Sequence, residues 1–102
     1  MATYQVLYWY DIPVQVRAGS RRDRCSVELP ERFQLAVDQA AMASGMDSTD
    51  DYLAGFRWSD AAEQDGTPQE VAAAVAEALQ TAHPSVNWRK TAELARKERP
   101  RD

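Results

Sequence analysis

Residues 3–10 read TYQVLYWY, and no other stretch restricts the fold as much. Aromatic and β-branched side chains fill it, the composition of a packed, pleated strand. Alternate side chains of a strand point to opposite faces. Here both sets are largely apolar: Tyr4, Val6, Tyr8 and Tyr10 on one side, Leu7 and Trp9 on the other. Such a strand lies in the middle of a sheet or is covered on both faces. Asp11, Ile12 and Pro13 then bend or interrupt it, because Pro13 has no N–H to give a ladder.

Val14 and Val16 alternate with Gln15 and Arg17, the pattern of a half-buried strand. Residues 18–22 read as a turn. Beyond it Cys25, Val27 and Leu29 alternate with Arg24, Ser26 and Glu28, a second hairpin arm with one apolar face. Pro30 suits the first position of a helix. Phe33, Val37, Ala40, Ala41 and Ser44 then recur at helical spacing, Leu35 and Met42 widen the stripe, and Gly45 is a stop. Ser48 to Asp51 begin a short helical turn leading to a strand in which Phe56 and Trp58 point the same way. Residues 61–66 read as a polar loop. Thr67, Pro68 and Glu70 form a capping box with proline at the first position. Val71, Ala74, Val75, Ala78, Leu79 and Ala82 supply the apolar stripe of that helix, and His83-Pro84 ends it.

The order implies an α+β two-layer sandwich: a mainly antiparallel sheet of about four strands with two amphipathic helices on one face and a charged C-terminal helical tail. A variant of the ferredoxin-like fold is one candidate, although its strand count does not match cleanly. Residues 1–86 form one α+β domain, in keeping with a chain of 102 residues. Residues 87–102 read as a basic, weakly anchored tail, with Trp88, Arg89, Lys90, Arg96 and Lys97 as its contact residues. The tail carries three positive charges in excess within a chain of net charge −4, so the body is strongly acidic. That balance argues against general affinity for nucleic acid or anionic lipid. No apolar run reaches membrane-spanning length, no signal peptide is visible, and a single cysteine excludes an internal disulfide; these features favour a cytoplasmic protein.

Catalytic signatures are scarce. One histidine and one cysteine are too few for an ordinary zinc site. Cys25 reads as a small hydrophobe on a strand and His83 as a helix terminus residue facing the dipole. Asp47, Asp50 and Asp51 surround a helix start, where carboxylates cap, and they lack the spacing of a calcium loop. No glycine-rich phosphate loop and no nucleophile elbow occurs. No cofactor is implied. What stands out is aromatic and arginine content on the strands: Tyr4, Tyr8, Trp9, Tyr10, Phe56 and Trp58 with Arg17, Arg24 and Arg57. Tryptophan, tyrosine and arginine are the residues enriched where proteins bind one another.

The segments TYQVLYWYDIPVQVRA, LPERFQLAVDQAAMASG, TDDYLAGFRWS and TPQEVAAAVAEAL together resemble the small bacterial domain family called virulence factor. The likeness covers residues 2–82, and its most specific part runs from Trp9 through Asp11, Ile12 and Pro13 to Gln15 and Val16. The family name describes a phenotype and fixes no reaction. The resemblance implies a compact domain without a recognised catalytic motif, with Trp9, Asp11, Pro13, Phe56 and Trp58 as a family-level site. It also implies an association with corrinoid- and folate-dependent one-carbon transfer, and so with methionine synthesis.

Three readings stand open at this point. The first is a non-enzymatic accessory or adaptor protein acting through protein contacts, its partner another protein such as a methyl-transfer enzyme, or a second copy in a homodimer. The second is a ligand- or cofactor-binding accessory subunit in methyl transfer, with Trp9, Trp58 and Arg57 lining a pocket. A concave aromatic pocket would favour it and a flat patch the first. The third is an enzyme using Asp11.

Overall fold

The computed structural model describes residues 2–98 apart from Arg21 and Asp47. The expectations placed on Asp47 and on residues 99–102 of the tail therefore lie outside the described residues. Strands β1 (Ala2–Trp9), β2 (Ile12–Ala18) and β3 (Cys25–Glu28) come first, followed by helices α1 (Glu31–Ser44) and α2 (Thr49–Ala54). Short strands β4 (Phe56–Trp58) and β5 (Ala62–Gln64) lead to helices α3 (Pro68–Ala82) and α4 (Trp88–Glu98). The chain is thus α+β, built on one antiparallel sheet in the order β3-β2-β1-β4, with β5 also paired to β1. Three strands before the first helix set it apart from the ferredoxin-like order of elements.

β1 occupies the middle of the sheet, as its two apolar faces require. It turns into β2 through only two residues, Tyr10 and Asp11, with Tyr10 at a φ of 57°. A left-handed conformation is uncommon for a tyrosine, and tight hairpins demand it. β2 therefore begins at Ile12, before Pro13 instead of after it. Tyr8 faces Pro13 and Leu7 faces Gln15, so Val14 is an extra residue in β2 and the register shifts there. The bulge accommodates the proline, which cannot complete a regular ladder.

The polar segment after Trp58 does not stay a loop. β4 and β5 together make one broken edge opposite β1. Ser59 bridges the break: its N–H donates to Val6 O at 2.8 Å and its Oγ accepts from Val6 N–H at 2.9 Å. The hydroxyl stands in for a missing ladder carbonyl, which is why a sequence poor in β-formers still pairs.

Helix α3 packs across β1, β2 and β3, and α1 touches β2 but shares its most extensive contact with α4. In α3 the buried residues are Val71, Ala72 and Ala76, with Val75 and Leu79 half-buried; Ala74, Ala78 and Ala82 face solvent. The buried stripe is rotated from the one expected because alanines lie all round this helix and do not fix its orientation. Leu35 and Met42 are likewise exposed and do not widen the stripe of α1, whose buried side is Phe33, Ala36, Val37, Ala40, Ala41 and Ser44. One apolar cluster joins these residues to Val6, Trp9, Ile12 and Val16 of the sheet and to Ala92 and Ala95 of α4.

The helix ends are clamped. Arg32 donates to Gln80 O at 3.1 Å and His83 O at 3.2 Å, satisfying carbonyls at the end of α3. Arg96 donates to Ala43 O at 2.6 Å in the last turn of α1. The basic segment from Trp88 is thus a helix with Thr91, Ala92 and Ala95 buried. Gly45 ends α1 in the left-handed region at φ 76°, as its sequence position implied.

Two tests address this packing. Ala95 is 0% exposed, so Ala95→Asp buries an unpaired carboxylate and should destabilise the chain by about 2 kcal/mol or more in denaturant titration. A change within experimental error would mean that α4 does not pack on α1. The second concerns Glu70, held below the usual carboxylate range by the Thr67 backbone N–H and then by the Thr67 hydroxyl. Because its folded pKa is lowered, its contribution is present above the unfolded carboxylate pKa and is lost as pH falls through the folded value. Glu70→Gln should therefore lower stability at neutral pH and flatten its decline in acid.

Candidate functional site on the open sheet face

Cross-strand register places Gln5 opposite Arg17, Leu7 opposite both Gln15 and Trp58, and Trp9 opposite Phe56. Gln15 and Arg17 in turn face Glu28 and Ser26 of β3. Partners across a sheet share a face, so these residues form one surface, the side opposite Val6 and Val16. Leu7, Gln15, Arg17, Phe56 and Trp58 are half-buried, and Ser26 and Glu28 are exposed.

The guanidinium of Arg17 lies 3.9 Å from the centroid of the Trp58 ring. Its Nη2 donates to Gln5 Oε1 at 2.9 Å, and Gln5 Nε2 donates to Ser59 O at 3.0 Å. The edge break that seats Ser59 therefore also orients Gln5, which orients Arg17 over the indole. Beside this stack runs a groove of about 430 Å³. Leu7, Val14 and Phe56 supply apolar lining, and Gln34 and Glu31 reach it from α1.

Toward the hairpin the row of rings continues and becomes buried. Tyr52 of α2 meets Phe56 at a centroid distance of 5.3 Å, nearly perpendicular, and lies 6.2 Å from Trp9. Its hydroxyl donates to Asp38 Oδ1 at 3.2 Å and accepts from Gln34 Nε2 at 2.7 Å. Burial first, and then the Asp38 carboxylate, raise the Tyr52 pKa against the opposing hydrogen bond from Gln34, so the phenol stays protonated. Beneath it Trp9 is 0% exposed.

The expected site residues thus divide into separate settings. Arg17, Phe56 and Trp58 meet on the open face. Trp9 belongs to the same row but is wholly inside. Arg57, exposed, faces Tyr8 and so points from the other side of β4. Pro13 is fully buried in the bulge. Asp11 lies at the hairpin turn, where its Oδ1 accepts a hydrogen bond from Thr91 Oγ1. A hollow of about 250 Å³ beside Asp11 also touches His83, Asn87 and Lys90. Trp88 is half-buried at the start of α4 under the stacked guanidinium of Arg89, 4.6 Å from its ring, and Lys97 is exposed.

The surface offers recognition chemistry. Flat aromatic area, a guanidinium and amides on a firm sheet suit contact with another molecule. Among the described residues no three His, Cys, Asp or Glu side chains gather as metal ligands. No helix among them is long and apolar enough to cross a membrane. Gln5, Leu7, Gln15, Glu28 and Tyr52 were not foreseen as site residues. Four of them were legible as the alternate set of their strands, the positions left over once the core face had been chosen.

A family model described as virulence factor matches residues 7–90. The match runs from within β1 into the first turn of α4, beyond residue 82 where the segment resemblance ended, and takes in Trp88, Arg89 and Lys90. It contains every open-face residue named above except Gln5. No curated protein and no solved structure matches the chain. With the match taking in the end of β1, the other four strands, the first three helices and the start of the fourth, the chain belongs to the virulence factor family.

Proposed function

We propose that this protein is a non-enzymatic accessory module that docks on another protein through its open sheet face. The observation that carries this reading is the half-buried Arg17–Trp58 stack on the open face, held by Gln5 and through it by Ser59. Preorganised tryptophan and arginine bind with little ordering cost, and both residue types are enriched at hot spots. A flat cofactor ring is a weaker occupant, because the guanidinium already covers the face on which it would stack. The Asp11 carboxylate, for its part, is engaged by Thr91 in tying the hairpin to α4. The family resemblance supports an enzyme of corrinoid- or folate-dependent methyl transfer as the partner.

Trp58→Ala tests the reading. Removing a half-buried indole and its cation–π contact should cost about 1 kcal/mol of stability, below the 3–5 kcal/mol of a core tryptophan. Partner binding should weaken by about 2 kcal/mol or more. The measurement is quantitative affinity capture from the native cell extract with wild-type and Trp58→Ala baits, beside thermal melts of both. A protein captured by the first and lost with the second supports the reading. Unchanged capture, or a melt that collapses while capture persists, contradicts it.

A further inference from the structure

We infer that the groove beside the Arg17–Trp58 stack accepts a partner segment in which an apolar side chain stands next to a lysine or arginine. This rests on the open sheet face being a protein-docking surface and states what docks there. The groove has an apolar floor and an acidic rim: Leu7, Val14 and Phe56 line it together with Glu28 and Glu31. Glu28 ends β3 and Glu31 opens α1, so the sharp join at Leu29 and Pro30 brings two exposed carboxylates to the same edge.

Among the described residues lining the groove there is no cation to neutralise that edge. Arg17, two residues along β2 from Gln15, keeps its charge because Gln5 and the Trp58 ring are neutral partners, but it is turned onto that ring and does not line the groove. Two lining carboxylates outweigh one guanidinium outside the lining, so the field over the groove is negative, and the acidic balance of residues 1–86 adds to it. A cationic segment is drawn in, and an acidic one meets like charge, which is how interfaces exclude wrong partners. The shape agrees. Small-molecule sites enclose most of their ligand, whereas this groove is open along one side, as a side chain projecting from a partner backbone needs.

The test uses two synthetic peptides, each with one leucine, flanked by lysines in the first and by glutamates in the second. Each is titrated into the isotope-labelled chain while backbone amides are followed by NMR. The lysine peptide should shift the Leu7, Gln15 and Glu28 amides saturably, and the effect should fade as salt rises. The double variant Glu28→Lys/Glu31→Lys should bind it about tenfold more weakly. Both glutamates are exposed, so the variant should keep the wild-type spectrum elsewhere. Equal binding of the glutamate peptide, or still groove amides with both peptides, overturns the inference. If the groove amides stay still while Trp58→Ala abolishes partner capture, the groove inference fails and the sheet-face reading stands. If Trp58→Ala leaves capture untouched, the sheet-face reading falls and takes the inference with it.

Discussion

Trp9 is the point on which the arrangement of the open face depends. Its indole N–H donates to Tyr52 O at 2.8 Å while its ring is wholly buried. Tyr10 packs edge-on at 4.7 Å. Gly55 lies so close to the indole that a Cβ there would collide with the Trp9 and Tyr10 rings. A buried indole needs a partner for its N–H, and a main-chain carbonyl of α2 supplies it. The bond from Tyr10 N–H to Gly55 O, 3.1 Å, draws in the next residue. Together these contacts fix where the chain leaves α2 and enters β4. That entry sets the register of Phe56 opposite Trp9 and Trp58 opposite Leu7. The half-buried tryptophan of the open face is therefore placed by the hidden one.

Polar side chains hold the rest of the architecture at its junctions. Thr91 reaches Asp11, Arg32 reaches the end of α3, and Arg96 reaches the end of α1. Each joins segments distant in sequence, and the two arginines do so by filling carbonyls that a helix end leaves without partners. Between these ties the core is built from small residues. Alanines of α1 and α4 let the two helices approach closely, and Trp9, Phe33 and Ile12 are the largest wholly buried side chains. Packing of this kind leaves one face of the sheet free.

Much of this was written in local signals. The dense apolar octet implied a central strand, the Thr67–Glu70 capping box marked the start of α3, and Gly45 marked the end of α1. What the sequence concealed depended on longer-range geometry. β5 forms because Ser59 supplies a side-chain oxygen to β1, and no propensity scale registers that. The alanine-rich helices carry no moment strong enough to fix which side turns inward, so helical spacing alone places Leu35, Met42 and Ala74 on the wrong side. For the site, residue type pointed to Arg17, Phe56 and Trp58, which do meet on one surface. Residue type could not separate Trp9 from Trp58, because the full burial of one and the half-burial of the other come from where α2 crosses the hairpin end.

A firm sheet, one open face and a preorganised arginine–tryptophan pair are the features on which the proposed docking surface rests. The most direct measurement places a photo-activatable amino acid at Gln15, in the middle of that face, and a second at Ala74, on the exposed side of α3. After irradiation in living cells, adducts are resolved by mass. The account predicts a discrete adduct with one protein from position 15 and none from position 74. An adduct from position 74 alone, or the same adducts from both, would contradict it.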